Sequence, residues 1–235
     1  MIQIRPAQDR GHANFGWLDS HHSFSFGRYY DPRHMGVSNL RVINDDTVLG
    51  RAGFDTHGHS DMEIVSYVLE GALVHRDSMG HGTLIKPGEV QRMSAGTGVE
   101  HSEFNYSESE PVHFLQIWLR PNQLGVEPSY EQKQFPYTER QGRLQLIVSP
   151  DGRDGSLRSN QDALLYSGVF ASGQTASHQL AGDRPGYVHL ARGEAMLNGQ
   201  PLQAGDGARI DAGARIELQG SDDAEVLLFD LPPEQ

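Results

Sequence analysis

The sequence predicts an all-β protein made of two β-barrel modules. Turns recur at short intervals, the segments between them read as strands, and the turn pattern repeats along the chain. The 235 residues include 27 glycines and 12 prolines, which cut the chain into pieces shorter than most helices. Between these breaks lie β-branched or alternating runs such as 63–69, 114–119, 144–148 and 224–229, the length and texture of sandwich or barrel strands. Helical periodicity is scarce. A chain of this size accommodates one large β domain or two small ones, each able to bury a core.

The repeat decides between these two. In the first half a strand ends at Gly71, a turn follows at Lys86-Pro87-Gly88-Glu89, and a second turn at Ala95-Gly96-Thr97 precedes the run 115–119. In the second half a strand ends at Gly193, then come Gln203-Ala204-Gly205-Asp206, Ala212-Gly213-Ala214 and the run 226–230. Gly88 to Gly96 and Gly205 to Gly213 both span eight residues. One match would describe any β protein, whereas four in order indicate a duplicated module. The expected organisation is a first module over 1–120, a polar, proline-broken connection over 121–143, and a second module over 144–235. The Gly/Asp-rich stretch 151–155 reads as a turn, because it lacks the carboxylate count and closing glutamate of a calcium loop.

Composition narrows the chemistry. Without cysteine, disulfide scaffolds, thiolate metal sites and cysteine nucleophiles are excluded. A net charge of −12 and the lack of any Lys/Arg cluster argue against direct nucleic-acid binding. No apolar run approaches the roughly 18 residues of a membrane span, so no membrane association is expected. The N-terminus shows no basic-then-apolar leader, and the expectation is a cytoplasmic protein. No nucleophile-elbow motif supports a serine hydrolase.

Histidine is unevenly distributed, with ten of the twelve at or before His113. In Thr56-His57-Gly58-His59 the two imidazoles stand at i and i+2, on one face of a strand. His101 and Glu103 repeat that spacing. Two antiparallel strands facing across a barrel mouth would bring His57, His59, His101 and Glu103 to one ion. Three imidazoles and a carboxylate suit Fe(II), Mn(II), Ni(II), Co(II), Cu(II) or Zn(II), with open positions left on an octahedral ion. By the repeat, the counterparts of His57, His59 and His101 are Gln179, Ala181 and Leu218, so one metal is expected, in the first module. Most of His21, His22, His75, His81 and His113 read as surface or hydrogen-bonded residues, with one of them a candidate for the mouth of the metal site. Adjacent His21 and His22 point to opposite faces of a strand, so they cannot share a pocket.

The segments 53–71 (GFDTHGHSDMEIVSYVLEG) and 87–105 (PGEVQRMSAGTGVEHSEFN) resemble the two cupin motifs as they occur in the pirin family. Residues 11–20, 24–26, 30–32 and 40–46, and the C-terminal run 226–232, extend the resemblance over nearly the whole chain, toward a bacterial quercetin 2,3-dioxygenase branch. The resemblance implies a bicupin with cupin-type, jelly-roll-like barrels, the metal being held by the first through His57, His59, His101 and Glu103. It implies opening of a flavonol heterocycle by O2 with release of CO, Fe(II) being the first choice of ion. On this reading Glu103 is the base for the flavonol 3-hydroxyl, and Phe24, Phe26, Met35, Phe54, Met93 and Trp118 are candidates for an apolar slot. General cupins place a glutamate ligand shortly after H-x-H. Glu63 occupies that neighbourhood and is read as a supporting or ion-paired residue, with ligation of the ion as the alternative. Some pirins are described as metal-sensing co-regulators, so a protein partner is the alternative, as is another small metabolite as substrate.

Overall fold

The computed structural model describes residues 1–234. They form a mostly antiparallel β structure with a single four-residue α-helix, Tyr137–Arg140. No helix among the described residues is long and apolar enough to cross a membrane.

The first module is a sandwich of two sheets. Seven strands lie in the order Ser129–Gln134, Glu89–Ser94, Glu63–Glu70, Val112–Leu119, Leu40–Val48, Leu18–His22 and Gly11–Asn14. Four more lie in the order Gly53–His59, Val99–Asn105, Leu73–Asp77 and Gly82–Ile85. The sheets face each other, since Val68, Val112 and Phe114 of one pack with Leu73 and Ile85 of the other. The second module is one nine-stranded sheet folded over on itself. Its long strands Gly186–Leu197 and Arg215–Asp230 carry register shifts between Leu190 and Ala195, and such bulges bend strands. Both ends of these strands therefore contribute to a single core, with Leu197 and Leu218 beside Val188 and Val226.

The all-β, two-module expectation agrees with this architecture, but closed barrels do not. In each module strands remain at the edges, such as Gly82–Ile85 in the first and Leu157–Arg158 in the second, each with a partner on one side only. The repeated turns match in conformation, Gly88, Gly96, Gly205 and Gly213 all having positive φ. Gly96 has no alternative, because a Cβ there would lie 2.0 Å from the Val126 carbonyl oxygen.

The boundaries differ from those expected in two places. Strand Ile2–Arg5 pairs with Gly207–Ile210 and so belongs to the second module's sheet. Ser129–Gln134, inside the expected connection, extends the first module's sheet beside Glu89–Ser94. Its sequence, Ser-Tyr-Glu-Gln-Lys-Gln, has no apolar face, as suits an edge strand.

The modules share a core in which Val65, Tyr67, Leu115 and Ile117 meet Ile147, Leu165, Leu227 and Phe229. Two buried polar clusters fix the contact. The Arg140 guanidinium donates to Tyr67 Oη at 2.6 Å, Ser167 Oγ at 3.0 Å and Glu225 Oε1 at 2.8 Å. Glu63, 1% exposed, accepts from Ser94 Oγ and Ser159 Oγ at 2.7 Å each and from the Asn160 N–H at 3.1 Å. Its donors are hydroxyl and amide groups, not a cation, so Glu63 is an intermodule acceptor rather than an ion-paired residue. Glu63→Ala leaves buried donors unsatisfied and is expected to lower stability by about 2–3 kcal/mol. Chemical denaturation measures this, and metal affinity measured alongside should stay unchanged.

Candidate metal centre

The site is built on the four-stranded sheet. Val99–Asn105 alternates strictly, with Val99, His101, Glu103 and Asn105 buried and the residues between them more exposed. His101 and Glu103 therefore share the inward row predicted by their spacing. On one side the neighbour is Gly53–His59, in which His57 lies directly opposite His101. The register then shifts, so that Glu103 faces Phe54. The resulting bulge brings the Asp55 carbonyl oxygen to 2.7 Å from His57 Nδ1. A carbonyl only accepts, so Nδ1 carries the hydrogen and His57 Nε2 is left as the free lone pair.

Three imidazoles converge. Ring centroids lie 4.8 Å apart for His57 and His59, 4.5 Å for His57 and His101, and 4.9 Å for His59 and His101. One nitrogen from each lies within 4.8 Å of the others. A second group under the same limit contains His75, His101 and Glu103. Glu103 is thus joined to the histidine cluster through His101, and the four expected ligands do not form one set at that distance. Both oxygens of Glu103 are held, Oε1 by Ser66 Oγ at 3.0 Å and Oε2 by Gln116 Nε2 at 2.7 Å.

The donor chemistry fits a divalent ion. His101 is 1% exposed, and neither of its ring nitrogens has a hydrogen-bond partner. Such orphaned buried polar atoms are costly, and a cation would satisfy one of them. Burial, reinforced by the neighbouring imidazoles, lowers His59 to about 4 and His101 to about 3. Both rings are therefore neutral at pH 7, with lone pairs available for coordination.

A cavity of about 550 Å³ opens onto His57, His59 and Glu103. Of the six apolar candidates, Phe26, Phe54 and Trp118 line it. Phe24 instead packs on Tyr187 in the intermodule core, Met93 is wholly buried beside Ile64, and Met35 is exposed. Sequence reasoning missed Asp46, which lines the cavity and accepts a hydrogen bond from Ser20 Oγ. Burial, with Asp45 and Glu103 nearby, pushes its carboxyl up to about 7 against that bond. The signal was the inward row Val42, Asn44, Asp46, Val48, where two polar residues interrupt an apolar face.

Several other histidines have partners of their own. His22 lines the cavity while His21 does not, as their opposite faces require. His113 Nε2 contacts Asp45 at 2.6 Å, and His81 Nδ1 contacts Asp77 at 3.0 Å. His12, Asp19 and His21 form a third group near the cavity rim. Its imidazoles stack at 4.5 Å and 18°, so their in-plane lone pairs run parallel instead of converging. In the second module His178 is paired with Asp230 at 2.7 Å. All metal-capable groups among the described residues lie in the first module.

The depressed histidine values set a pH dependence for the metal-free protein. Unfolded, His59 and His101 take up protons below their ordinary 6.5; folded, they resist until about 4 and 3. Stability should therefore fall as pH drops from about 6.5 toward 4. Melting temperatures of chelator-treated protein across that range check this, and His59→Gln should flatten the slope.

Comparison with known proteins agrees with this architecture. The Pirin family model matches residues 3–119, and the model described as quercetinase C-terminal cupin domain matches residues 146–231. A protein named quercetin 2,3-dioxygenase from Escherichia coli K12 is 49% identical over 233 residues, covering 99% of this chain and all of the relative. A pirin-like protein of Caulobacter vibrioides is 40% identical, over 98% of this chain and 99% of its own. The crystal structure of YhhW from Escherichia coli superimposes with a TM-score of 0.95 at 48% identity, covering 99% of this chain and 98% of that one. The structure of YhhW in complex with nickel(II) gives 0.94 at 48% identity, over 99% and 100%. By sequence, by both modules and by fold, this chain belongs to the pirin family of bicupins.

Proposed function

We propose that this protein is a metal-dependent dioxygenase that opens the heterocyclic ring of flavonols such as quercetin, with His57, His59, His101 and Glu103 holding one divalent ion. The observation that carries the reading is the convergence of three imidazoles, one buried with both nitrogens bare, at the end of an aromatic-lined cavity. The names of the relatives support the substrate class, and the nickel(II) complex of YhhW supports the binding of a divalent ion.

When bound, the ion would supply the Lewis-acidic charge that lowers the pKa of a flavonol hydroxyl. The chain's own residues do the rest. Phe26 meets Trp118 edge-on at 5.4 Å, and Trp118 meets His59 at 5.0 Å, so a flat polyphenol entering the cavity finds aromatic walls leading to the imidazoles. Glu103 accepts the 3-hydroxyl proton, with Ser66 and Gln116 fixing its carboxylate in place. Ring opening incorporates both atoms of O2 and releases one carbon as CO, with no net gain or loss of protons. Glu103 must therefore return its proton to the product. Asp46, poised near neutrality on the same wall, is a second station for a proton.

The test is anaerobic loading of the protein with Fe(II), Mn(II), Ni(II), Co(II) or Cu(II), then addition of flavonol and O2. Decay of the flavonol band, O2 uptake and CO release are followed together. Glu103→Gln should lower kcat by at least about 100-fold, and His59→Ala should lose both ion and turnover. A folded, loaded parent protein that turns over flavonol with none of these ions overturns the assignment and favours the metal-sensing, partner-binding alternative.

A further inference from the structure

Three buried imidazole nitrogens without partners occupy one corner of the first module: both nitrogens of His101 and Nδ1 of His75. His75 is wholly buried, and its Nε2 lies 3.0 Å from Asp77 Oδ2. The other oxygen of Asp77 accepts the backbone N–H groups of Met79 and His81 at 3.0 Å each, so this carboxylate is fixed by its own loop. A carboxylate only accepts. His75 Nε2 therefore carries the hydrogen, and His75 Nδ1 presents a lone pair.

The sheet aims that lone pair. Leu73–Asp77 flanks Val99–Asn105, with Asp77 opposite His101 and His75 opposite Glu103. The His75 and His101 ring centroids lie 5.4 Å apart, a separation from which a small rotation forms an N–H···N bond of about 3 Å. Tyr130 stacks on the other side of His75 at 4.9 Å and is tied through its hydroxyl to Gln132 Oε1 at 2.7 Å, so the His75 ring is clamped.

We propose that the Asp77–His75 pair is the outer partner of His101, accepting its N–H when its other nitrogen holds the ion. This rests on the metal-centre reading above. An imidazole that ligates through one nitrogen must carry hydrogen on the other, and His75 Nδ1 is the unoccupied acceptor beside it. The sequence Asp77 carboxylate, His75 imidazole, His101 imidazole then fixes each tautomer in turn and raises the basicity of the ligand. The alternative, in which His75 itself ligates beside His101 and Glu103, would leave the remaining His101 N–H buried with no acceptor. His75 is thus a positioning residue.

Cobalt(II) titration and proton NMR of the cobalt-loaded protein in water test the assignment. The parent should show hyperfine-shifted N–H signals from three ligating imidazoles, one of them slow to exchange with solvent. His75→Phe removes the acceptor and should weaken cobalt(II) binding by about 10–100-fold and abolish the slow exchange. His75→Asn, which restores an acceptor near the Nδ1 position, should recover both. Cobalt-loaded parent with no slowly exchanging N–H, or His75→Phe with parental affinity and exchange, overturns the proposal while leaving the metal centre intact. Four shifted imidazole N–H signals overturn it by making His75 a ligand. A parent protein that binds no cobalt(II) removes the metal-centre reading and this proposal with it.

Discussion

The site depends on the pairing of Val99–Asn105 between Gly53–His59 and Leu73–Asp77. That central strand supplies His101 and Glu103, one flank supplies His57 and His59, and the other supplies His75 and Asp77. A slip of one residue would turn His101 and Glu103 outward together and disperse every group that converges there. Glycine guards the register at a close approach. A Cβ at Gly53 would lie 2.4 Å from the Glu103 carbonyl oxygen, so any side chain there pushes directly on the strand that carries Glu103. The bulge that follows is equally specific, since it returns the Asp55 carbonyl to His57 and chooses which nitrogen of that ring remains free.

Inside the sandwich, several polar groups around the convergence point are held in pairs, whereas the imidazole at its centre is not. Glu103 has Ser66 and Gln116, Asp46 has Ser20, and His22 has Asn44 at 2.8 Å. His101 has no partner. This asymmetry gives the metal-free protein a local penalty that a bound ion relieves, so binding free energy appears also as stability. The same crowding explains the neutrality of His59 and His101, since burial and mutual repulsion favour the form that can donate a lone pair to a cation.

Much of this was legible in the sequence, and the omissions share a physical cause. Alternation over 99–105 and the H-x-H spacing expose the inward row directly, because a strand's side-chain period is fixed at two. The repeated glycines mark turns whose positive φ the structure displays. What escaped were features set by a partner strand instead of by local periodicity. Ser129–Gln134 has a polar sequence and is a strand only because Glu89–Ser94 offers it an edge. Ile2–Arg5 crosses to the other module, which no local pattern specifies. Glu63 lies at cupin-ligand spacing, yet its acceptors' needs are met by Ser159 and Asn160, almost a hundred residues away. His75 reads in the sequence as one more surface or hydrogen-bonded histidine, and its place opposite Glu103 exists only in the sheet.

The second module, which carries no ligand set among its described residues, still bears on the chemistry through the sheet it covers. Glu63–Glu70 and Val112–Leu119 lie side by side, with Ser66 opposite Gln116. Those two residues point inward and hold Glu103. Their neighbours Val65, Tyr67, Leu115 and Ile117 point the other way, into the core shared with Leu227 and Phe229. One pair of strands therefore has two buried faces, one holding the carboxylate and the other packed on the second module. Removing that packing would expose four large apolar side chains and free the strands that place Ser66 and Gln116. On this view the duplicated module needs no ligands of its own: its contribution is a rigid back wall, and the carboxylate's position is where that rigidity is felt.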